Sequence, residues 1–296
     1  MKKNLLFLIL VSSSIYTNAQ SPAIGWQKPV GDTGYSDTIR TVKPTSDGGF
    51  IAVGSYAIDG INNSDYLIIK MNSAGTVQWQ KIYGGGGSDY ANDVIQTTDG
   101  GYIIAGSTTS IDGDITTLNY GGSDAWIIRL NNSGNITWRY TFGGSGNDTI
   151  TSIAKTASGN YAFVGTSNSQ NGNIPNHFGG YDIWFMQLSP IGGYIASNSF
   201  GGTGNESTPS IIATADGGFA IIGTSNSSIG PYHGNNDVLF LKVASDGAFT
   251  FYNLFGGSYD DIGYSLVQTT TGDFYFAGQS SSANGDVTGN QGGTDV

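Results

Sequence analysis

Five acidic side chains recur at one place in a repeating unit, and carboxylates are the side chains best suited to bind a hard cation. They are Asp37, Asp89, Asp148, Glu206 and Asp261. In a closed ring of repeats they would gather at one mouth of a central channel. Ca²⁺ takes six to eight oxygen ligands, so this series is a candidate calcium site. Alternatively, each carboxylate accepts hydrogen bonds from its own Gly-Gly turn. Repetition in every unit favours the turn role, because a cap is needed five times and a ligand once.

A second acidic series opens the third apolar run of each unit, and we predict a turn role for it as well. Its members are Asp65, Asp124, Asp182, Asp237 and Asp295. The two histidines, His177 and His233, lie in comparable loops and are interpreted as surface residues. No H-E-x-x-H motif, phosphate loop or nucleophile elbow occurs. A carboxylate pair for glycoside hydrolysis stays possible, because its members need only lie about 5–9 Å apart in space.

Long polar loops between the second and third runs of each unit carry the candidate ligand-binding residues. These are Asp112, Asp114, Tyr120, Phe178, Tyr232 and Asp286. Loops on a rigid scaffold are where binding usually resides. Acids, amides and exposed aromatic rings suit sugar recognition through hydrogen bonds to hydroxyls and through ring stacking. An Asp-Gly-Asp sequence also suits Ca²⁺, or it simply forms a turn.

The elements that must position these side chains repeat along the whole chain. The Asp-Gly-Gly position recurs in every unit, with its first Gly at Gly48, Gly100, Gly159, Gly217 and Gly272. A period of about 50–60 residues is the signature of a solenoid or propeller. Each unit contains four short strands, for example Tyr90–Thr97, Tyr102–Ser107, Ala125–Leu130 and Ile136–Phe142. The sequence therefore predicts an all-β fold, a β-propeller of four-stranded antiparallel blades, with about five blades present.

The blade repeats begin near residues 31, 84, 143, 201 and 256. Aromatic residues such as Trp79 and Trp138 recur in the fourth strand, and we expect them to pack between neighbouring blades. The fifth unit stops at the start of its third strand, so we expect an incomplete last blade and a longer natural protein. Trp26–Val30 matches a fourth strand and would latch the ring.

Residues 1–20 have the pattern of a secretory signal peptide, with two lysines, an apolar core and a small-residue cleavage site. We therefore expect residues 21–296 to form the exported propeller. The chain has no cysteine and a net charge of −11. This charge argues against nucleic acid and against anionic membranes as partners. No later segment is apolar enough for membrane insertion.

The units Gly84–Phe142 and Gly143–Phe200 resemble Gly-rich propeller repeats of large exported Bacteroidota proteins. The shared motif is W-x-x-x-x-G-G-x-x-x-D…D-G-G-[YF]-x-[IV]-x-G-[ST]…D-x-W-[IL]-x-[KR]-[LM]. In strand layout the units are also similar to blades of pyrroloquinoline-quinone enzymes, although no quinone site is recognisable. The resemblance implies an extracellular protein of the kind exported by the type IX secretion system, without one defined activity.

These patterns favour a non-enzymatic module, secreted or on the cell surface, that binds a glycan or a surface protein. A second hypothesis is a spacer propeller with no specific ligand. A third is the propeller of a carbohydrate-active hydrolase or lyase. The third requires two carboxylates about 5–9 Å apart, one with a raised pKa. No cofactor is predicted with certainty, and Ca²⁺ is the one candidate.

Overall fold

The computed structural model describes residues 36–57, 63–230, 234–288, 290 and 292–295. Within these ranges every regular element is a β-strand, which confirms the predicted all-β class. Residues 1–20, for which a signal peptide is predicted, lie outside the described residues, as do Trp26–Val30, Tyr232 and His233. No helix in the described ranges is long and apolar enough to cross a membrane.

Eighteen strands form five antiparallel sheets, and hydrogen-bonded neighbours are consecutive in sequence. The first sheet contains β1 (Thr38–Pro44), β2 (Phe50–Ala57), β3 (Ser64–Met71) and β4 (Val77–Tyr83). The second contains β5 (Asp89–Gln96), β6 (Tyr102–Thr108), β7 (Asp124–Leu130) and β8 (Ile136–Phe142). Four-stranded antiparallel sheets were predicted and are confirmed.

The third sheet contains β9 (Asp148–Lys155), β10 (Tyr161–Ser167), β11 (Asp182–Leu188) and β12 (Tyr194–Phe200). The fourth contains β13 (Glu206–Ala213), β14 (Phe219–Ser225), β15 (Asp237–Val243) and β16 (Phe249–Phe255). The fifth sheet pairs β17 (Asp261–Gln268) with β18 (Phe274–Ser280), and Asp295 adds a single antiparallel bridge to Ser280.

The turn between the first two strands of each sheet explains the Asp-Gly-Gly motif. In the second sheet Thr97 donates its hydroxyl to Asp99, and Gly100 has a φ of 81°, which an L side chain rarely adopts. Asp99 also pairs with Arg129 of β7, with its Oδ2 2.5 Å from the guanidinium. The same ion pair recurs in the first and fourth sheets. The third sheet lacks both charges, having Ser158 and Gln187 instead.

A β-bulge in the first strand of each sheet explains the Gly of the Gly-Ser/Thr motif. The bulge in β9 presses the Thr149 carbonyl onto Gly165 of β10, where an added Cβ would lie 1.7 Å from the oxygen. Equivalent contacts of 1.8–2.0 Å are made at Gly54, Gly106 and Gly278. A strand glycine of this kind marks a close approach of another backbone.

The hydrophobic core lies between successive sheets. One cluster joins Ile51 and Val53 of the first sheet to Ile104 and Trp126 of the second. Similar clusters join the second sheet to the third and the third to the fourth. Each sheet thus buries its faces against its sequence neighbours, as propeller-like blades do.

Trp79 of β4 reaches across one of these interfaces, as the aromatic repeat predicted. Its ring packs edge-on against Tyr102 of the second sheet, with centroids 5.8 Å apart. Its indole N–H donates to the Asn132 carbonyl at 3.2 Å. The expected role of Trp79 between neighbouring sheets is therefore confirmed.

The first strands of all five sheets line one central cavity of about 500 Å³, here called the channel. Its wall includes Thr41, Asp93, Ser152, Ile211 and Leu266, one from each sheet. Asp93 connects three of these strands, because it pairs with Lys43 at 2.7 Å and accepts the Ile153 N–H at 2.8 Å. The first strands therefore form the inner layer of the molecule.

Candidate functional site

The two acidic series meet at the junctions between sheets. At each of four junctions, the Asp that begins a third strand lies beside the acid that begins the next first strand. The pairs, each 24 residues apart, are Asp65 with Asp89, Asp124 with Asp148, Asp182 with Glu206, and Asp237 with Asp261. A Cβ added to Gly143 would lie 1.9 Å from Asp124 Oδ1 and 2.6 Å from Asp148 Oδ2. Glycine at this place leaves room for two carboxylates.

The acids of the first series accept hydrogen bonds from their own turns. Asp148 Oδ2 accepts the Gly144 N–H and the Ser169 hydroxyl, both at 2.7 Å. Asp89, Asp261 and Glu206 accept the equivalent backbone N–H of Gly85, Gly257 and Gly202. Asp37, directly before β1, is half-buried. The turn role considered for this series is thus geometrically satisfied at four of its five positions.

Burial raises the pKa of several of the paired carboxyls, and repulsion from a neighbouring carboxylate adds to the rise for Asp65, Asp124 and Glu206. The pKa of Asp124 rises to about 6, chiefly because the side chain is buried and partly because Asp148 is charged. The pKa of Asp65 rises to about 6 through burial and the charges of Asp89 and Asp114. Burial also raises the pKa of Asp148 and of Glu206. Removing two charged carboxyls from water is unfavourable unless a proton or a cation compensates.

The described residues contain no group of three or more His, Asp or Glu side chains arranged to hold a metal ion. The first acidic series is instead distributed over separate junctions, and its oxygens contact backbone N–H groups. A calcium ion would add its binding energy to the folded state and raise the melting temperature in proportion to the logarithm of its concentration.

We expect EDTA and 1 mM Ca²⁺ to give melting temperatures within about 1 °C of each other, because the described acids form no cluster of three and the turns already donate hydrogen bonds to one oxygen of an acid such as Asp148. Differential scanning calorimetry on the full chain measures this directly. A rise of several degrees in Ca²⁺, with no response to Mg²⁺, would assign the junction carboxylates as calcium ligands.

The loop acids lie against the Gly-rich turns. Asp112 Oδ1 accepts the Gly86 N–H at 2.6 Å, and Asp114 Oδ2 accepts the Gly84 N–H at 3.3 Å. Asp286 Oδ2 makes the same bond to Gly256 at 3.3 Å. Asp114 also lies 3.3 Å from Arg139. One carboxylate oxygen of each acid is therefore engaged in holding its loop to the turn.

The loop aromatics are positioned by the second acidic series. Asp124 accepts the backbone N–H of Tyr120, and Asp182 Oδ2 accepts that of Phe178 at 2.8 Å. The rings themselves remain 44% and 47% exposed. His177 is held beside the same acid, its Nδ1 3.4 Å from Asp182 Oδ2. The structure thus fixes two of the three predicted aromatics at the mouths of clefts.

Phe178 flanks a cleft between the third and fourth sheets, here called the Phe178 cleft. Its volume is about 290 Å³, and its wall includes Asn176, Phe178, Ser199, Phe200, Phe249 and Tyr252. The ring centroids of Phe200 and Phe249 lie 6.3 Å apart, and those of Phe249 and Tyr252 lie 5.9 Å apart. Aromatic faces with a few polar groups between them are typical of ligand pockets.

The Ser199 hydroxyl differs from its counterpart in the second sheet. There Thr141 donates to Leu118 and bonds the Thr117 hydroxyl at 2.9 Å, so the equivalent hydroxyl has partners in its loop. The loop of the third sheet is one residue shorter. Ser199, at the position of Thr141, is buried and its hydroxyl has no hydrogen-bond partner. A buried, unpaired hydroxyl is unfavourable, and Ser199 forms part of the wall of the Phe178 cleft.

Tyr120 lies at a second, shallower cleft of about 630 Å³ that also includes Ile111, Leu118 and Tyr140. Ile111 and Leu118 are strongly exposed, at 82% and 71%. The polar groups of this cleft already bond one another through Thr141 and Thr117. We therefore regard the Phe178 cleft as the stronger candidate site.

The carboxylate pairs have raised pKa values, as a glycosidase acid would, but their burial argues against that chemistry. Asp124 and Asp148 are both 0% exposed. A general acid must lie within hydrogen-bond distance of the atom that it protonates. Neither Asp124 nor Asp148 forms part of the wall of the Phe178 cleft.

Comparison with known proteins identifies a distant likeness of fold. No protein-family model and no curated protein matches the sequence. A Dyadobacter fermentans protein of unknown function has a TM-score of 0.56 at 11% identity, covering 84% of this chain and 76% of its own.

A Bacteroides caccae protein of unknown function has a TM-score of 0.46 at 14% identity, covering 85% of this chain and 73% of its own. A variant of Synechocystis apocarotenoid oxygenase has a TM-score of 0.48 at 11% identity, with coverage of 81% and 55%. Of these three structures the Dyadobacter fermentans protein alone exceeds a TM-score of 0.5, and at 11% identity its likeness to this chain is one of fold.

Proposed function

We propose that this chain is an exported, non-enzymatic β-propeller that binds a glycan through the Phe178 cleft, outside the cell or at its surface. The observation that carries the proposal is the combination, in one cleft, of four aromatic rings with the unpaired Ser199 hydroxyl. Pyranose rings present apolar C–H faces and hydroxyl edges. An aromatic wall takes the faces, and amide or hydroxyl groups take the edges.

The finer architecture belongs to the same proposal. We infer about five blades, the last incomplete, arranged around the channel. The leader-like residues 1–20 support export. The motif resemblance supports a relationship to Gly-rich propellers exported by Bacteroidota through type IX secretion.

Replacing Phe178 or Phe249 by Ala is expected to weaken glycan binding at least about tenfold, because each loses a stacking surface worth about 1.5–3 kcal/mol. Affinity electrophoresis against a panel of neutral and acidic polysaccharides first identifies the glycan, and titration calorimetry then compares the variants. Tyr194→Ala is the matched control, since Tyr194 is an exposed aromatic at the far end of β12.

Retention on no polysaccharide by a folded protein would contradict the glycan proposal and favour a protein partner or a spacer role. Equal affinity of the Phe178, Phe249 and Tyr194 variants would exclude the Phe178 cleft as the site. Release of new reducing ends from any polysaccharide would contradict the non-enzymatic part and favour the hydrolase or lyase alternative.

A further inference from the structure

We propose that the mouth of the channel is a second binding site, in which Arg40 binds the carboxylate of an acidic sugar. The inference deepens the proposed function and rests on it in so far as the ligand is a glycan. The site is separate from the Phe178 cleft, and its charge would select uronate-containing chains.

The site is a cleft of about 470 Å³ formed by the first three sheets. Its lining residues are Arg40, Tyr90, Asn92, Ser107, Thr149 and Thr151. The cleft opens at the edge of the sheets where the first strands begin and the second strands end. In the second sheet this edge is marked by the pairing of Asp89, the first residue of β5, with Thr108, the last residue of β6. The long loop that carries Tyr120 leaves from the same edge. A glycan chain could therefore contact both the loops and the channel mouth.

Three lining residues occupy the bulge of their first strand. The register of pairing skips Arg40 in β1, Asn92 in β5 and Thr151 in β9. A bulge redirects a side chain, and bulges are frequent next to functional sites. Here they bring side chains from three successive sheets to one cleft.

Two of these three side chains already connect neighbouring strands. The Asn92 amide donates to the Ile150 carbonyl at 2.8 Å, and the Thr151 hydroxyl donates to the Pro209 carbonyl at 2.6 Å. Arg40 makes no such bond within the described part of the chain, and its guanidinium lies over the Tyr90 ring, 5.9 Å from the centroid.

Arg40 differs from most other cations of this acidic protein. Lys43, Lys70, Arg129, Arg139 and Lys242 each form an ion pair with a carboxylate. Among the described residues no carboxylate forms an ion pair with Arg40. A guanidinium stays charged at all relevant pH values and binds carboxylates through two parallel N–H bonds. The contact with the Tyr90 ring places the guanidinium at the cleft, and Ser107 and Thr149 add hydroxyl groups to the same wall.

The test is binding of polygalacturonate and of its fully methyl-esterified form, which have the same backbone and differ in charge. In 150 mM salt, which screens the repulsion between the polymer and the net charge of −11, we expect wild-type protein to bind polygalacturonate at least about tenfold more tightly than the methyl-esterified form. Arg40→Ala should abolish this preference, and Arg40→Lys should restore only part of it. Lys81→Ala, which removes one positive charge from β4, should leave the preference unchanged.

Two outcomes would overturn the proposal. One is equal binding of the two polymers by wild-type protein, and the other is an unchanged preference for polygalacturonate in Arg40→Ala. Tighter binding of a sulfated polymer than of polygalacturonate would overturn the assignment to carboxylate. Binding of neutral glycans that depends on Phe178 and Phe249 would persist in Arg40→Ala, so failure of this site is distinguishable from failure of the proposed function.

Discussion

The Gly165→Ala variant is expected to lose about 3 kcal/mol or more of its free energy of unfolding. The new Cβ would lie 1.7 Å from the Thr149 oxygen, 2.6 Å from the Thr149 carbonyl carbon and 2.8 Å from Ile150 Cα. All three atoms belong to the backbone of a bulge, so no side-chain rotation relieves the clash. Urea unfolding followed by circular dichroism measures the loss.

The control is Gly193→Ala, in an exposed turn of the same sheet. Its nearest contact is the flexible side chain of Ser189, at 2.9 Å, so the expected change is below about 1 kcal/mol. Equal losses in the two variants would show that the bulge of β9 does not press on Gly165. The same test at Gly106 would ask whether the constraint is shared by successive sheets.

The second large effect concerns pH. The protein is expected to melt about 5 °C higher at pH 5 than at pH 8, because the buried carboxyl pairs hold protons more tightly than the unfolded chain does. An unfolded Asp has a pKa of about 3.9, whereas the pKa of Asp65 and of Asp124 is about 6 in the folded state. The folded state therefore binds more protons between these values, and stability falls as pH rises through them.

Asp124→Asn should abolish part of this dependence and raise the free energy of unfolding at pH 8 by about 1–2 kcal/mol. The amide oxygen can still accept the Tyr120 N–H, and the amide N–H can face Asp148. Asp99→Asn is the control, and it should lower the free energy of unfolding at pH 8. The reason is that the Thr97 hydroxyl and Arg129 lower the pKa of Asp99 in the folded state. A wild-type melting temperature that rises from pH 5 to pH 8 would contradict the account of the pairs.

Much of the fold could be predicted because each unit repeats its turn chemistry. The positive φ of Gly100 and the close contact at Gly165 show why glycine recurs at these positions. The aromatic position of Trp79 was predicted from the same periodicity. Local signals of this kind determine a turn or a strand boundary without reference to distant residues.

The candidate site was predicted less completely, because it depends on contacts between units. Both acidic series were recognised, but their pairing across junctions was missed, although the constant separation of Asp124 from Asp148 and its equivalents was present in the sequence. Phe178 was predicted, whereas Ser199 and Phe249 were missed. Only alignment of β12 with β8, in which Thr141 occupies the position of Ser199, would have drawn attention to the Ser199 hydroxyl.

Hydrogen–deuterium exchange of the full chain, with and without a saturating glycan identified on the panel, tests the central claim most directly. We predict protection in peptides covering residues 176–178, 198–200 and 249–252, which line the Phe178 cleft, and none at the opposite edge around residues 45–49. Protection at that opposite edge, or unchanged exchange in the cleft at saturation, would contradict the claim that this cleft binds the ligand.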